Sequence, residues 1–246
     1  TASLADAQIA QGDWDSAHTN YQTALEMVTE QVPDPSLAVL TVVGLSAAVL
    51  GQGDVEKADF YIEQAGLLIE DGGVPFDEGS VMQQQSAVLT QAGDHANATL
   101  LAHEAKLTFE SIDSPPSLRL ATYRYALCLF NQGQRDLAGT ELTELGEGIS
   151  EPWMTRTLRP LVAEAPMFAQ WAAGRLAAAR LLREFLSKES MRSGSLDGQP
   201  RESAGSAVRT IEAKSLGRVS VTVDGEPVAN RAWESARAKE MFFLLL

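Results

Sequence analysis

The sequence is short of nearly everything that chemistry at a site requires. It has one cysteine, Cys128, so an internal disulfide is excluded and a reducing compartment suits the chain. Cys128 stands between Leu127 and Leu129 in a helical pattern, where a buried packing role is expected. The three histidines, His18, His95 and His103, are too scattered to share a metal, and solvent-exposed side chains are expected for them. There is no glycine-rich phosphate loop, no cluster with metal-ligand spacing and no nucleophile elbow. Paired acids such as Glu70-Asp71 fall at helix ends, where solvation accounts for them. No catalytic residue, cofactor site or metal site is expected, and the chain does not read as an enzyme. A membrane span is missing too: the most apolar run, Leu37 to Leu50, is too short and carries Thr41, Gly44 and Ser46. It reads as an inner helix covered by its neighbours. No signal peptide is visible, and a cytoplasmic location is expected.

Positive charge is scarce where it would matter for nucleic acid. The formal net charge is −14, and residues 1–150 hold 22 Asp/Glu against 5 Lys/Arg, a net of −17, which leaves +3 for the remainder. Such a surface repels a phosphate backbone, so the first part of the chain is a poor candidate for DNA contact. A solvated outer face explains the acidity equally well.

What is present is a period. Gly12, Gly53, Gly93, Gly133 and Gly174 are 41, 40, 40 and 41 residues apart. Small or apolar residues follow five and twelve positions on: Ala17 and Ala24, Ala58 and Ala65, Ala98 and Ala105, Ala138 and Leu145, Ala179 and Leu186. A glycine ends a helix in the left-handed conformation without a Cβ penalty, and Asp13, Asp54 and Asp94 can cap the next helix. Residues seven apart share a helix face, and alanine on that face lets two helices approach closely. Tyr21, Ile62, Ala102 and Leu142, nine after each glycine, should point into the core. Pro35, Pro75 and Pro115 repeat at the same interval, in loops that close one unit before the next. The unit is a helical hairpin with its turn at the glycine, and a fixed period of this size marks a stacked repeat protein.

The pattern resembles the tetratricopeptide repeat, including the small residue seven before each glycine (Ala5, Ser46, Ser86, Ala126). The period of about 40 exceeds the usual 34 of that family. HEAT and armadillo repeats have periods nearer 40, but fit the Gly-Asp turn and its two alanines less well. Met167 and Pro166 depart from the pattern, so the fifth unit's first helix should start late or bend. The long variant is similar to that of large bacterial regulators of the maltose-activator type. That resemblance implies an all-α fold, a right-handed superhelix of antiparallel helix hairpins. It also implies a concave face that takes a protein, peptide or small-molecule effector, and an ATPase or signalling module upstream. Thr1 leads almost directly into a helix without a capping unit, which agrees with a parent that continues there.

Beyond residue 187 the composition changes. Residues 1–187 are expected to form the repeats and 188–215, rich in Ser and Gly with mixed charges, a flexible linker in which a short helix can form near Arg209. In 216–246, Val219, Val221 and Val223 alternate with polar residues as a half-buried strand, Asp224-Gly225 is a hairpin signal, and Ser235 can cap a helix that carries Met241 to Leu246. This run, with Trp233 and Ala236-Arg237-Ala238-Lys239, resembles the opening of the winged-helix domain of SARP-type and response-regulator-type activators. The resemblance implies a small β-hairpin plus helix fragment of a DNA-binding domain. Arg237 and Lys239 would touch phosphates in the complete domain, or serve as surface charge on a core helix. DNA would then be contacted only through the complete C-terminal domain. A repeat scaffold mediating protein contacts without DNA is the alternative.

Overall fold

Each repeated glycine from Gly12 to Gly133 ends a helix in the same way. In the computed structural model Gly12, Gly53, Gly93 and Gly133 have φ of 75°, 88°, 86° and 79°. The amide after each one reaches back five residues to a carbonyl of the preceding helix: Asp13 to Gln8, Asp54 to Val49, Asp94 to Leu89 and Gln134 to Leu129, at 2.9–3.0 Å. This is the Schellman closure, and it needs the left-handed glycine. The aspartates then open the next helix, where Asp13 accepts from the Ser16 amide (3.3 Å), Asp54 from Lys57 (3.0 Å) and Asp94 from Asn97 (3.2 Å). Pro35, Pro75 and Pro115 each begin a helix, where the missing N–H costs nothing.

The structure describes residues 2–30, 34–70, 73–176, 179–194, 211–214, 220–223 and 226–227. They divide into two units, Thr1–Asp197 and Gly198–Leu246. In the first unit every described regular element is helical. Four hairpins follow in order: α1 (Ala2–Ile9) with α2 (Trp14–Glu30), α3 (Pro35–Gly51) with α4 (Val55–Glu70), α5 (Pro75–Ala92) with α6 (His95–Ser111), and α7 (Pro115–Asn131) with α8 (Arg135–Glu147). A 3-10 helix (Pro152–Leu158) leads into α9 (Arg159–Glu164), α10 (Pro166–Arg175) and α11 (Arg180–Gly194). Pro166 separates α9 from α10, because it cannot supply the amide that a continuous helix would need there.

The core is a series of clusters along the stack. Ala5, Ala17, Tyr21, Leu45 and Ala48 fill the first, Val39, Val49, Ala58, Ile62 and Ala65 the next, and Tyr123, Leu142, Leu158, Phe168, Leu182 and Leu186 are part of the last. Each hairpin thus buries its apolar side against the next, as stacked repeats do. The small residue seven before the glycine has a definite task where it is serine. Ser46 Oγ donates to the Ala58 carbonyl (2.9 Å) and Ser86 Oγ to the Ala98 carbonyl (2.8 Å), tying the two helices of a hairpin together. Gly44 permits another close contact, since a Cβ there would lie 2.3 Å from the Tyr21 ring.

The fifth turn differs from expectation. Gly174 sits in the last turn of α10 without a positive φ, and the helix ends one residue later. No aspartate follows to start a helix, and Leu176, the first residue after α10, is buried in the last core cluster. Burial of Leu176 therefore sets the turn, and Gly174 does not. The expected linker is also corrected at both ends: α11 continues to Gly194, and β1 (Ile211–Lys214) forms inside the range 188–215.

In the second unit β1 pairs antiparallel with β2 (Ser220–Val223), which pairs antiparallel with β3 (Glu226–Pro227). The pairing of Val223 with Glu226 leaves two residues between those strands. The expected turn at Asp224-Gly225, the helix from Ala236, the Met241 to Leu246 run, and Arg237 and Lys239 lie outside the described residues.

Candidate functional site

The first helix of each hairpin faces a common groove of about 860 Å³. Its lining repeats with the period of the chain. Leu40, Ser80, Leu120 and Pro160 form one row, one residue from each successive unit. Gly44, Gln84, Arg124 and Glu164 form a second, four residues further along each helix, with Ala47 and Ala87 one turn beyond. Residues three and four apart lie on one helix face, so α3, α5 and α7 each present the same stripe. Phe76 on α5 and Trp14 at the first turn add aromatic surface.

Polar groups are few and placed unevenly. At one end the Tyr21 hydroxyl donates to the Asp6 carboxylate. Burial, that hydrogen bond and the carboxylate's charge all push the Tyr21 pKa up, so the phenol stays protonated. In the middle are three amides. Gln84 donates to Ser46 Oγ (3.3 Å), while the Gln83 and Gln91 side chains make no hydrogen bond among the described residues. At the other end Arg124 and Glu164 meet in a two-pronged ion pair, with Nη2 to Oε2 at 2.7 Å. The Arg124 side chain is 4% exposed and that of Glu164 25%. Burial alone would pull the guanidinium pKa down, and the Glu164 carboxylate more than offsets this and raises it. Arg124 Nε and the hydroxyl of neighbouring Tyr123 are buried without a partner. Burial, then the Glu164 charge, raises the Tyr123 pKa.

The residues singled out by their spacing lie behind this surface. Ala17, Ala24, Ala58, Ala65, Ala98, Ala105, Ala138 and Ala179 are all buried. They bring the helices together but do not line the groove. The groove rows were missed, although their signal was there: the same period, counted nine and thirteen positions before each glycine, gives Gly44, Gln84 and Arg124, and Leu40, Ser80 and Leu120. Cys128 is buried, with Ser86 Oγ 3.4 Å and Thr90 Oγ1 3.6 Å from its sulfur. The histidines are half-buried rather than exposed, because His103 packs on Tyr125 (4.8 Å between centroids) and His18 approaches Tyr61 (6.5 Å). Among the described residues no group of His, Cys, Asp and Glu could hold a metal ion, and no helix is long and apolar enough to cross a membrane.

No family model and no curated protein matches the chain. Among solved structures, the crystal structure of BtubC (BKLC) from P. vanneervenii is similar, with a TM-score of 0.51 over 82% of this chain and 82% of that one, at 20% identity. At that identity the likeness is one of fold, and it supports a helical-repeat architecture.

Proposed function

We propose that the helical unit is the protein-interaction and signal-sensing arm of a bacterial, cytoplasmic transcriptional regulator. In this reading its hairpins are tetratricopeptide-like and wind into a right-handed superhelix. The strands of the second unit belong to the start of a winged-helix DNA-binding domain, which the arm controls. One observation carries the interaction role: a single groove lined by equivalent positions of α3, α5 and α7, with an apolar stripe, amide side chains and an ion pair confined to one end. Amides beside apolar surface suit a peptide backbone with apolar anchors, and a small-molecule effector would use the same groups. The net charge of −17 in residues 1–150 keeps this unit from DNA, so DNA contact would fall to the complete C-terminal domain. The same groove fits an adaptor that binds a protein partner and never meets DNA.

The acidity supplies a test of control. A strongly negative arm competes with DNA for the basic surface of a complete winged helix. Deleting residues 1–187 from the full-length parent is expected to raise DNA affinity at low salt, with the gain fading as salt rises. Equal affinity with and without the arm would favour the adaptor reading.

A further inference from the structure

The outer helices of the second and third hairpins each carry an exposed apolar pair at the same repeat positions. Phe60 and Leu67 lie two turns apart on α4, at 53% and 57% exposure, and Leu100 and Leu107 repeat them on α6 at 55% and 48%. The first hairpin has Thr19 and Glu26 at these positions and the fourth has Thr140 and Glu147, so the stripe belongs to the middle of the stack. Outer helices approach their successors on either side of this pair, and by the repeat α4 and α6 stand in the same relation. His18 of α2 approaches Tyr61 of α4, and Lys106 of α6 meets Glu141 of α8 at 2.5 Å.

Carboxylates frame these four side chains. By helical spacing Glu63 stands between Phe60 and Leu67, Glu104 between Leu100 and Leu107, and Glu56, Glu70 and Glu110 lie at the ends. All five are exposed, and none has an ion-pair partner among the described residues. The cations on these two helices are engaged elsewhere: Lys57 leans over the Tyr61 ring (6.0 Å) and Lys106 holds Glu141.

We propose that this outer stripe docks a cationic amphipathic helix of a partner protein. Its apolar face would cover Phe60, Leu67, Leu100 and Leu107, and its Lys and Arg residues would meet the glutamates. Charge decides the occupant. A second copy of this chain would set the same carboxylates against themselves, which costs affinity and slows encounter. The surface is separate from the groove, and the inference does not depend on what the groove binds.

The test titrates the 246-residue chain with a labelled synthetic helix that carries leucine on one face and lysine on the other, followed by fluorescence anisotropy at low and high salt. Phe60→Ser with Leu107→Ser is expected to weaken binding by about tenfold or more with every carboxylate still present, since burying each such side chain is worth more than a tenfold step. Glu63→Gln with Glu104→Gln is expected to weaken binding and flatten its salt dependence. Leu137→Ser, at an exposed apolar residue off the stripe, should change nothing. All these positions are exposed, so melting should stay as in the wild type. Equal affinity for the Phe60→Ser/Leu107→Ser variant overturns the proposal. So does a wild-type chain that dimerises and is returned to monomer by those two substitutions.

Discussion

Glu164→Ala is expected to cost about 3–5 kcal/mol of stability in a urea melt, the loss that follows when a buried charge is left alone. Glu164 meets Arg124 through both guanidinium nitrogens, and Arg124, at 4% exposure, cannot turn to water for a replacement. Its Nε already lacks a partner. Arg124→Met should cost less, because the stranded carboxylate of Glu164 is 25% exposed and recovers hydration. Adding Arg124→Met to the Glu164→Ala chain should restore most of the loss, since an apolar pair of similar volume needs no desolvation. A Glu164→Ala chain within 0.5 kcal/mol of wild type, the usual range for a plain surface change, would mean that the pair does not form in solution. The pair also joins α7 to α9, so it holds the irregular fifth repeat on the regular stack.

Ala98→Leu is expected to cost about 1–3 kcal/mol through overpacking, a fall in Tm of roughly 2–12 °C for a unit of this size. Ala98 is fully buried against Ala102, Cys128 and Leu89, and its carbonyl accepts from Ser86 at the point where α5 and α6 touch. With Ala98 fully buried at this crossing, the added carbons are expected to push the helices apart and stretch that hydrogen bond. Ala58→Leu, the same position one repeat earlier, should behave alike, with Ser46 in place of Ser86. Ala96→Leu, exposed on α6, should leave the midpoint where it is. If Ala98→Leu melts with the wild type, the small residues do not set the helix spacing.

These two predictions rest on features of unequal visibility in the sequence. Ala98 was legible because its cause is local: a left-handed glycine, a capping aspartate and a fixed number of residues to the crossing. The same holds for the turns at Gly12, Gly53, Gly93 and Gly133, whereas Pro35, Pro75 and Pro115, read as loop residues, open α3, α5 and α7. The fifth turn was misread because burial of Leu176, a demand of the tertiary core, outweighed the local signal at Gly174. β1 escaped notice for a related reason. Ile211-Glu212-Ala213-Lys214 has little strand character alone and is defined by pairing with Val223 to Ser220. The Arg124–Glu164 pair required knowing that α9 returns to the groove, although the 40-residue interval between the two was in plain sight. The partner-binding surface is the least legible part, since a face that binds something else satisfies no contact within its own chain.

The central claim is that the inner helices form the binding face, and hydrogen exchange tests it most directly. Peptides selected from a random display library on the Phe60→Ser/Leu107→Ser chain, which lacks the outer apolar stripe, would be added, and amide protection followed along the sequence. Protection is expected in α3, α5 and α7 around Leu40–Ala47, Ser80–Ala87 and Leu120–Arg124, and should vanish with Leu40→Glu, a substitution in the groove row. Protection confined to α2 and α8, or a bound peptide that leaves α3, α5 and α7 exchanging as before, would contradict it.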